Sequence, residues 1–387
     1  MRPLPTTHSR VPWILASVLV TVSCVPARPY YSDSSPQPVT HPVPRSVRQR
    51  IVLLGDAGAP AEGGEPVLEA LADTVASVPD RTLVVFLGDN IYERGLPPGG
   101  PGRAEAERRL AALIATLGDR ARGLFVPGNH DWDESGPDGH QAVLRQARLV
   151  TESDPERLLW LPEDGCPGPA LVPGLAGVSV VALDTQWWLH RYAKPTTACS
   201  AGDTAAVARG LESMLAEADG DVVVVAHHPL QSEGIHADGP SWKDHLFPLR
   251  NARGRAWFPL PVLGSLYHWI YKPLTRTRQS LQHSKNRDMR SMLDAAMAAG
   301  RPLVYAAGHD HSLQVFEGTG SARYVLVSGA GSASKATPVD KNDQTLFADA
   351  RPGFMVIDFM TDDSVLLRVV EPGRAVVFSH WLRPPPS

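Results

Sequence analysis

The sequence predicts an α/β fold in which β-sheets are covered by helices on both faces. Short runs rich in β-branched residues lie at 51–54, 83–87, 124–126, 178–183, 222–225 and 303–306. Segments with the apolar spacing of helices separate several of these runs, at about 65–78, 104–117, 203–218 and 285–299. Continuous apolar strands that alternate with helices are typical of sheets that are buried on both sides.

The carboxyl-terminal part of the chain has a different pattern. Strand-like runs follow one another there with little helix between them, at 312–317, 322–328, 353–359, 364–370 and 374–380. Strands joined by short connections form hairpins. This part therefore predicts a hairpin-rich second sheet that packs on the first.

The composition is that of an ordinary globular protein. Of its 387 residues, 43% are hydrophobic and 20% are charged, and the formal net charge is −4. These values exclude wholesale disorder and a polytopic membrane protein. We expect no nucleic-acid partner, because proteins that bind nucleic acids usually carry an excess of basic residues.

The amino terminus has the layout of an export signal, predicted over residues 1–24. Arg2 and Arg10 precede an apolar stretch that is shorter than the roughly 20 residues of a membrane-spanning helix. Residues 21–24 resemble a bacterial lipobox, except that Thr21 stands where Leu is usual, and Cys24 would carry the lipid. The alternative is cleavage after Ala27. We expect an exported protein, either a lipoprotein anchored in the membrane or a secreted one.

Two further predictions concern the chain after the signal. Residues 25–48 contain six prolines and no apolar periodicity, which indicates an extended linker before a domain at 49–387. Export into an oxidising compartment favours a disulfide between Cys166 and Cys199, and two free thiols are the alternative.

Polar clusters follow five of the strand-like runs. They are GDAG at 55–58, GDNIY at 88–92, GNHD at 128–131, HHP at 227–229 and GHDH at 308–311. Each cluster alone is weak evidence, since Asp after Gly is common in turns and helix caps. Ligands bind outside the carboxyl ends of strands in open α/β sheets, so the five clusters can converge. Carboxylates, an amide, a phenol and imidazoles without a thiolate suit iron, zinc or manganese.

The five motifs in this order resemble those of the calcineurin-like metallophosphoesterases, and of purple acid phosphatases in particular. The resemblance extends from Asp56 to His311. Tyr92 is the distinguishing residue, because purple acid phosphatases use a tyrosine to hold iron(III) and most other metallophosphoesterases lack one. The resemblance implies a four-layer α/β/β/α sandwich with two central mixed β-sheets.

The resemblance also implies two groups of metal ligands. The first group binds iron(III) and consists of Asp56, Asp89, Tyr92 and His311. The second group binds a divalent iron, zinc or manganese ion and consists of Asp89, Asn129, His227 and His309. Asp89 belongs to both groups and would bridge the two metals.

Three other residues match catalytic positions of the resembled family. His130 would contact the phosphate group, Asp131 would orient that histidine, and His236 would assist the leaving group. The implied reaction is hydrolysis of a phosphomonoester by a hydroxide at the dinuclear centre, as in acid phosphatases. The alternatives are a phosphodiesterase that acts on nucleotides or phospholipid head groups, and a non-catalytic surface module that binds metal.

A basic and aromatic insertion is predicted at about 245–287. This segment carries eight Lys and Arg residues and no acidic one, and an uncharged run at 256–271 contains five aromatic residues. Three interpretations remain open. The segment is a cationic lid that attracts phosphorylated substrate, a patch that contacts anionic lipid, or a helical hairpin packed on the core.

Overall fold

The computed structural model describes residues 29–32, 46–61, 64–237, 246–247, 259–260, 277–318, 320–373 and 375–386. The predicted signal peptide lies outside the described residues. Most of the predicted linker and most of the predicted insertion at 245–287 lie outside them as well. The described ranges contain no helix with the length and apolar character of a membrane span.

The described strands form two mixed sheets. One sheet runs in the order Ala375–Arg383 (β15), Val365–Glu371 (β14), Phe354–Met360 (β13), Val47–Leu54 (β2), Thr82–Phe86 (β3), Arg122–Phe125 (β4), Leu158–Trp160 (β5). The other runs in the order Tyr30–Tyr31 (β1), Thr345–Asp349 (β12), Leu313–Glu317 (β10), Tyr324–Ser328 (β11), Val304–Ala307 (β9), Asp221–Val225 (β8), Val178–Ala182 (β7), Ala170–Leu171 (β6). Strands β2 to β5 are parallel to one another, as are β7, β8, β9 and β11.

Helices cover the outer faces of both sheets. The described α-helices are Pro66–Ala76 (α1), Pro101–Ala115 (α2), Gly139–Ser153 (α3), Thr185–Leu189 (α4), Thr204–Glu217 (α5) and Ser284–Met297 (α6). Local sequence sets several helix starts. Pro66 and Pro101 occupy the first turn, where no backbone N–H is needed, and the Asp203 side chain accepts a hydrogen bond from Ala206 N at the start of α5.

The apolar side chains of the central strands alternate between two core clusters, one between the sheets and one beneath the helices. Ile51 and Leu53 of β2 face a cluster that includes Val223 and Val225 of β8, so this cluster fills the space between the sheets. The intervening residues of the same strands pack against apolar side chains of the helices, such as Leu71 of α1. Side chains of successive residues point to opposite faces of a strand. The four-layer α/β/β/α sandwich is therefore confirmed.

The carboxyl-terminal strands do not form a sheet of their own, and this part of the prediction was wrong. Strands β10, β11 and β12 join the sheet that contains β8, whereas β13, β14 and β15 extend the sheet that contains β2. The tail therefore completes both sheets. Hairpin signals identified the strands, but they carry no information on which sheet edge each hairpin joins.

Two local features concern the predicted linker and the cysteines. Tyr30 and Tyr31, inside the predicted linker, pair antiparallel with β12, and the Tyr31 ring contacts Phe347 at 5.4 Å between centroids. Cys166 and Cys199 form a disulfide, as predicted.

Candidate metal centre

The carboxyl ends of five central strands bring all the predicted metal ligands together. Strands β2, β3 and β4 are neighbours in one sheet, and β8 and β9 are neighbours in the other. The ligands are Asp56 after β2, Asp89 and Tyr92 after β3, Asn129 after β4, His227 after β8, and His309 and His311 after β9. All except His311 are buried. Residues that lie up to 255 positions apart in the sequence thus share one site, as the strand-end pattern predicted.

Backbone conformation at the site is locally unfavourable. Asp56, Asp89 and His309 have φ angles of 60°, 54° and 70°, a left-handed region that non-glycine residues rarely occupy. Gly88 has a φ of 93°, and a Cβ atom there would lie 2.5 Å from His227 Nδ1. Strain of this kind costs about 1–3 kcal/mol per residue and is concentrated at functional sites.

Four side chains form what we call the tyrosine group: Asp56, Asp89, Tyr92 and His311. The Tyr92 hydroxyl lies 3.1 Å from Asp56 Oδ1, 3.2 Å from Asp89 Oδ2 and 3.0 Å from His311 Nε2. His311 donates its Nδ1 proton to Lys335 O at 3.0 Å. Two carboxylate oxygens and one imidazole nitrogen therefore surround the Tyr92 hydroxyl.

The pKa values of Tyr92 and Asp89 are shifted in opposite directions. Burial raises the pKa of Tyr92 well above its usual value, and the charges of Asp56 and Asp89 raise it further. Burial also favours a higher pKa for Asp89, but His227, His130 and the backbone N–H of His130 outweigh it and lower the pKa to about 2. A cation bound here would oppose the effect on Tyr92, because coordination to a metal favours the deprotonated ligand.

Three further side chains form the histidine group: Asn129, His227 and His309. His227 Nε2 lies 3.0 Å from Asn129 Oδ1, and His309 Nδ1 lies 3.1 Å from the same oxygen. The two imidazole nitrogens are 3.2 Å apart. Asn129 therefore presents its carbonyl oxygen to two ring nitrogens at once.

Hydrogen bonds on the far side of each ring define which nitrogen carries a proton. His227 Nδ1 donates to Leu87 O at 2.8 Å, and His309 Nε2 donates to Gln279 O at 3.0 Å. In the neutral form of both rings, His227 Nε2 and His309 Nδ1 are acceptors that face another acceptor, the Asn129 oxygen. Protein histidines that bind metals usually donate the other ring N–H to a carbonyl or carboxylate in this way. The histidine group therefore fits a cation.

Asp89 connects the two groups through its two carboxylate oxygens. Its Oδ2 atom faces Tyr92, and its Oδ1 atom lies 3.5 Å from His227 Nε2. The backbone N–H of His130 donates to the same Oδ1 at 2.9 Å. One carboxylate thus reaches both candidate positions for a metal ion, which is the arrangement that a bridging ligand requires.

His130 lies at the edge of the site. Its ring is 4.4 Å from the Tyr92 ring between centroids, and its Nε2 atom lies 3.9 Å from Asp89 Oδ2. Its Nδ1 atom donates to Glu93 O at 2.5 Å. Glu93 therefore orients the His130 ring in this structure.

Asp131 has other contacts than the resemblance implies. Its carboxylate is fully buried and accepts hydrogen bonds from the backbone N–H groups of Asn90, Ile91 and Gly128. Burial and the nearby charge of Asp89 raise the pKa of Asp131 to about 7. Asp131 thus joins the loops after β3 and β4, and the bonds of its carboxylate position the segments that carry Asp89 and Asn129.

His236 reaches the site from the short helical turn Ile235–Ala237. Its ring lies 4.1 Å from that of His309 between centroids, and its backbone N–H donates to Asp310 Oδ1 at 2.9 Å. The structure therefore brings His236 beside a candidate ligand of the second metal.

Sequence reasoning missed two residues that contact the histidine group. His228 is buried beside His309, with 4.5 Å between ring centroids, and both its ring nitrogens are hydrogen-bonded, to Thr185 and to Gln279. His228 lies near enough to the other imidazoles to count as a possible ligand, but these bonds occupy both its nitrogens. The HHP cluster signalled His228, whereas no motif signalled Gln279.

Comparisons with known proteins agree with this geometry. No curated protein sequence matches the chain. Its fold is similar to that of GAP50, the anchor in the inner membrane complex of Plasmodium, with a TM-score of 0.52 and 16% identity over 88% of this chain and 90% of that one. It is also similar to purple acid phosphatase PPD1 from yellow lupin (Lupinus luteus) seeds, with a TM-score of 0.52 and 15% identity over 86% of this chain.

The present chain covers 53% of the lupin protein, and at these identities the likeness shows the fold alone. The family model described as calcineurin-like phosphoesterase matches residues 49–252, more than half of the chain. That match includes the motifs of β2, β3, β4 and β8, and the fold adds His309 and His311 to them. The chain therefore belongs to the calcineurin-like phosphoesterase family.

Proposed function

We propose that the protein hydrolyses phosphate monoesters at a dinuclear centre that pairs iron(III) with a divalent iron, zinc or manganese ion. The tyrosine group would hold iron(III), and Asp89 with the histidine group would hold the divalent ion. The observation that carries the proposal is the Tyr92 hydroxyl among three candidate ligand atoms. A phenolate oxygen at this position is a hard ligand for a hard trivalent cation.

When bound, two such cations lower the pKa of water and stabilise the attacking and departing oxygens at phosphorus. The chain's own residues supply the proton transfer. His130 donates its Nδ1 proton to Glu93 O. Its Nε2 atom is therefore the one that can carry a proton and give it to the leaving alkoxide. His236, beside His309, is the second candidate for this role.

The same site could act on phosphodiesters of nucleotides or phospholipid head groups. A monoester carries more negative charge and more free oxygens than a diester, so it gains more from two cations and from His130. This difference favours monoesters, and turnover of both substrate types measures it directly.

The experiment compares an aryl phosphate monoester with a bis-aryl diester, using metal-loaded protein. We expect faster turnover of the monoester and loss of both activities in Asp89→Ala, because Asp89 contacts both ligand groups. Asp119→Asn, a change at an exposed position outside the site, serves as the matched control. A metal-loaded preparation that turns over neither substrate would contradict the proposal.

A non-catalytic role is the alternative from another class. GAP50, whose fold is similar, is described as an anchor, so the fold occurs in a protein with a structural role. The position of His130 favours catalysis here, since its Nε2 atom faces Asp89 and takes no part in either ligand group. Full metal occupancy without turnover would favour the non-catalytic role.

We also propose that the protein is exported and carries a lipid on Cys24. The disulfide between Cys166 and Cys199 supports export, because such bonds persist in oxidising compartments. Mass spectrometry of the exported amino terminus tests the anchor. We expect a lipid-modified Cys24 as the first residue, and an unmodified terminus at Arg28 would indicate a secreted protein instead.

A further inference from the structure

Gln279 lies just before α6, in the described range 277–318. Its backbone carbonyl and its side-chain amide contact four residues around the histidine group: Ser135, Gln186, His228 and His309. We infer that Gln279 is a positioning residue that prepares the histidine group for the second metal and leaves the tyrosine group unaffected. This inference rests on the proposed function for the identity of that metal site.

The contact with His309 is direct. Gln279 O accepts the Nε2 proton of His309 at 3.0 Å, which leaves the Nδ1 lone pair directed at Asn129 and His227. If this bond were lost, the ring could rotate or exchange tautomers, and Nδ1 would no longer be presented as a ligand. The carbonyl of Gln279 thus selects the metal-binding form of His309.

The side chain of Gln279 fixes the neighbouring imidazole as well. Its Oε1 atom accepts the Nε2 proton of His228 at 2.6 Å, and the Thr185 hydroxyl donates to His228 Nδ1 at 2.9 Å. The His228 ring is thereby held beside the rings of both His227 and His309, at 4.9 and 4.5 Å between centroids. By packing against both rings, His228 limits the movement of His227 and His309.

The third contact reaches Asn129 through a strained turn. Asp133, Glu134 and Ser135 have φ angles of 57°, 52° and 62°, so three successive residues adopt the left-handed conformation. Ser135 N donates to the backbone oxygen of Asn129 at 3.0 Å. Gln279 Nε2 donates to Ser135 Oγ at 2.9 Å, and Gln186 donates to the same hydroxyl. These bonds stabilise an unfavourable turn that is joined to the backbone of Asn129, whose side-chain amide belongs to the histidine group.

The backbone of Gln279 is itself held in place. Leu281 N donates to His236 O at 3.0 Å, which joins the turn of His236 to the chain just after Gln279. The buried Asn286 of α6 lies with Nδ2 3.3 Å from Arg278 O and 3.5 Å from Gln279 O. The carbonyl that His309 uses is therefore part of a rigid junction.

The tyrosine group has separate supports. His311 uses Lys335 O, the backbone oxygen of Tyr92 accepts from Arg109 at 2.7 Å, and the backbone oxygen of Asp56 accepts from Ser332 at 2.8 Å. Among the hydrogen bonds of the described residues, none joins Gln279 to this group. We therefore expect a substitution at Gln279 to affect the two metal positions unequally.

The test uses the full chain loaded with iron and dialysed against Zn²⁺, with both metals measured by mass spectrometry. Gln279→Met keeps the length of the side chain and removes its bonds to Ser135, Gln186 and His228, while the backbone carbonyl that accepts from His309 remains. We expect this variant to retain iron and to show a dissociation constant for Zn²⁺ that is raised about 10–100-fold, the range for losing partners that orient a metal ligand. Ser135→Ala removes the hydroxyl that accepts from Gln279, and it should weaken Zn²⁺ in the same direction.

Gln231→Met is the matched control, because Gln231 is also half-buried and its side-chain amide donates to Gln344, outside both ligand groups. It should bind both metals as the unaltered protein does. Unchanged Zn²⁺ affinity in Gln279→Met, or equal weakening of iron and Zn²⁺, would overturn the inference.

A second measurement does not depend on bound metal. Imidazole nitrogen shifts in metal-free protein, assigned by the signals lost in His228→Gln, report the tautomer of His228, whose Nε2 proton is accepted by the Gln279 side chain. We expect the Nε2–H tautomer of His228 in the unaltered protein and a mixture in Gln279→Met. If the protein bound no second metal, the proposed function would fail, and an unchanged tautomer in the variant would separately refute the role of Gln279.

Discussion

The Nε2 atom of His227 lies 3.2 Å from the Nδ1 atom of His309, and each ring donates its other nitrogen proton to a backbone carbonyl. In the neutral form of both rings, two lone pairs thus face one another inside the protein. The Asn129 oxygen, 3.0 Å from one nitrogen and 3.1 Å from the other, adds a third. A cation among these atoms converts mutual repulsion into coordination, so metal binding and stability should be linked.

Metal removal should therefore lower stability through this pair. A ligand that binds only the folded state at about 100 times its dissociation constant stabilises it by about 2.7 kcal/mol. We expect a gain of this order when free Zn²⁺ replaces a chelator in urea unfolding, and a much smaller gain in His227→Ala. His380→Ala, a histidine of β15, is the control. An equal gain in His227→Ala would show that the pair does not bind the ion.

Asp131 should act on stability and on the site together. In Asp131→Ala, the buried N–H groups of Asn90, Ile91 and Gly128 lose their acceptor. An unsatisfied buried donor costs about 1–3 kcal/mol, so we expect the free energy of unfolding to fall by at least about 3 kcal/mol. Urea unfolding measures it. A role limited to orienting His130 would instead lower kcat and leave the stability unchanged.

His130 should affect turnover without affecting metal content. Its Nε2 atom is 3.9 Å from Asp89, and its Nδ1 atom is held by Glu93, so it can transfer a proton without being a ligand. Loss of a general acid typically costs about 100- to 10,000-fold in rate. We expect a fall of this size in kcat for His130→Asn at unchanged metal stoichiometry. His140→Asn, whose ring contacts Asp164 O outside the ligand groups, is the matched control.

A buried ion pair away from the site should govern the stability of one sheet. Asp358 of β13 is fully buried and accepts hydrogen bonds from Arg50 at 2.6 Å and from Arg368 at 2.5 Å. Removing one partner of a buried pair leaves an uncompensated charge and costs about 3–5 kcal/mol. Asp358→Ala should lower the free energy of unfolding by this amount, measured in urea.

The exposed pair of Asp80 and Arg120 provides the comparison. Asp80→Ala should change the free energy of unfolding by less than about 1 kcal/mol, because water and salt screen such pairs. Equal losses of unfolding free energy in Asp358→Ala and Asp80→Ala would contradict the role of Asp358 as a buried charge.

The strand-end motifs predicted which side chains converge because chemistry and position coincide in them. Asp56, Asp89 and His227 each follow an apolar strand closely, so a linear pattern was sufficient to identify them. No motif marks Gln279, and its role depends on contacts with residues that are distant in the sequence. Nothing local in the sequence encodes those contacts, so only the folded structure identifies them.

Two elements of the fold were absent from the sequence prediction, each for its own reason. Helix α3 was missed because its buried face includes the polar Gln146, which donates to Asp131 O, and its apolar spacing is therefore interrupted. Strand β1 was missed because Tyr30 and Tyr31 gain their strand conformation only by pairing with distant residues of β12. Short edge strands of this kind are specified by their partners more than by their own sequence.

The visible spectrum of concentrated, iron-loaded protein tests the central claim most directly. The Tyr92 hydroxyl lies within 3.2 Å of three other candidate ligands, so it should bind iron(III) as a phenolate and give a visible absorption band. Tyr92→Phe should lose that band while metal analysis still finds iron. A colourless protein that contains two zinc or manganese ions, or a band that persists in Tyr92→Phe, would contradict the account.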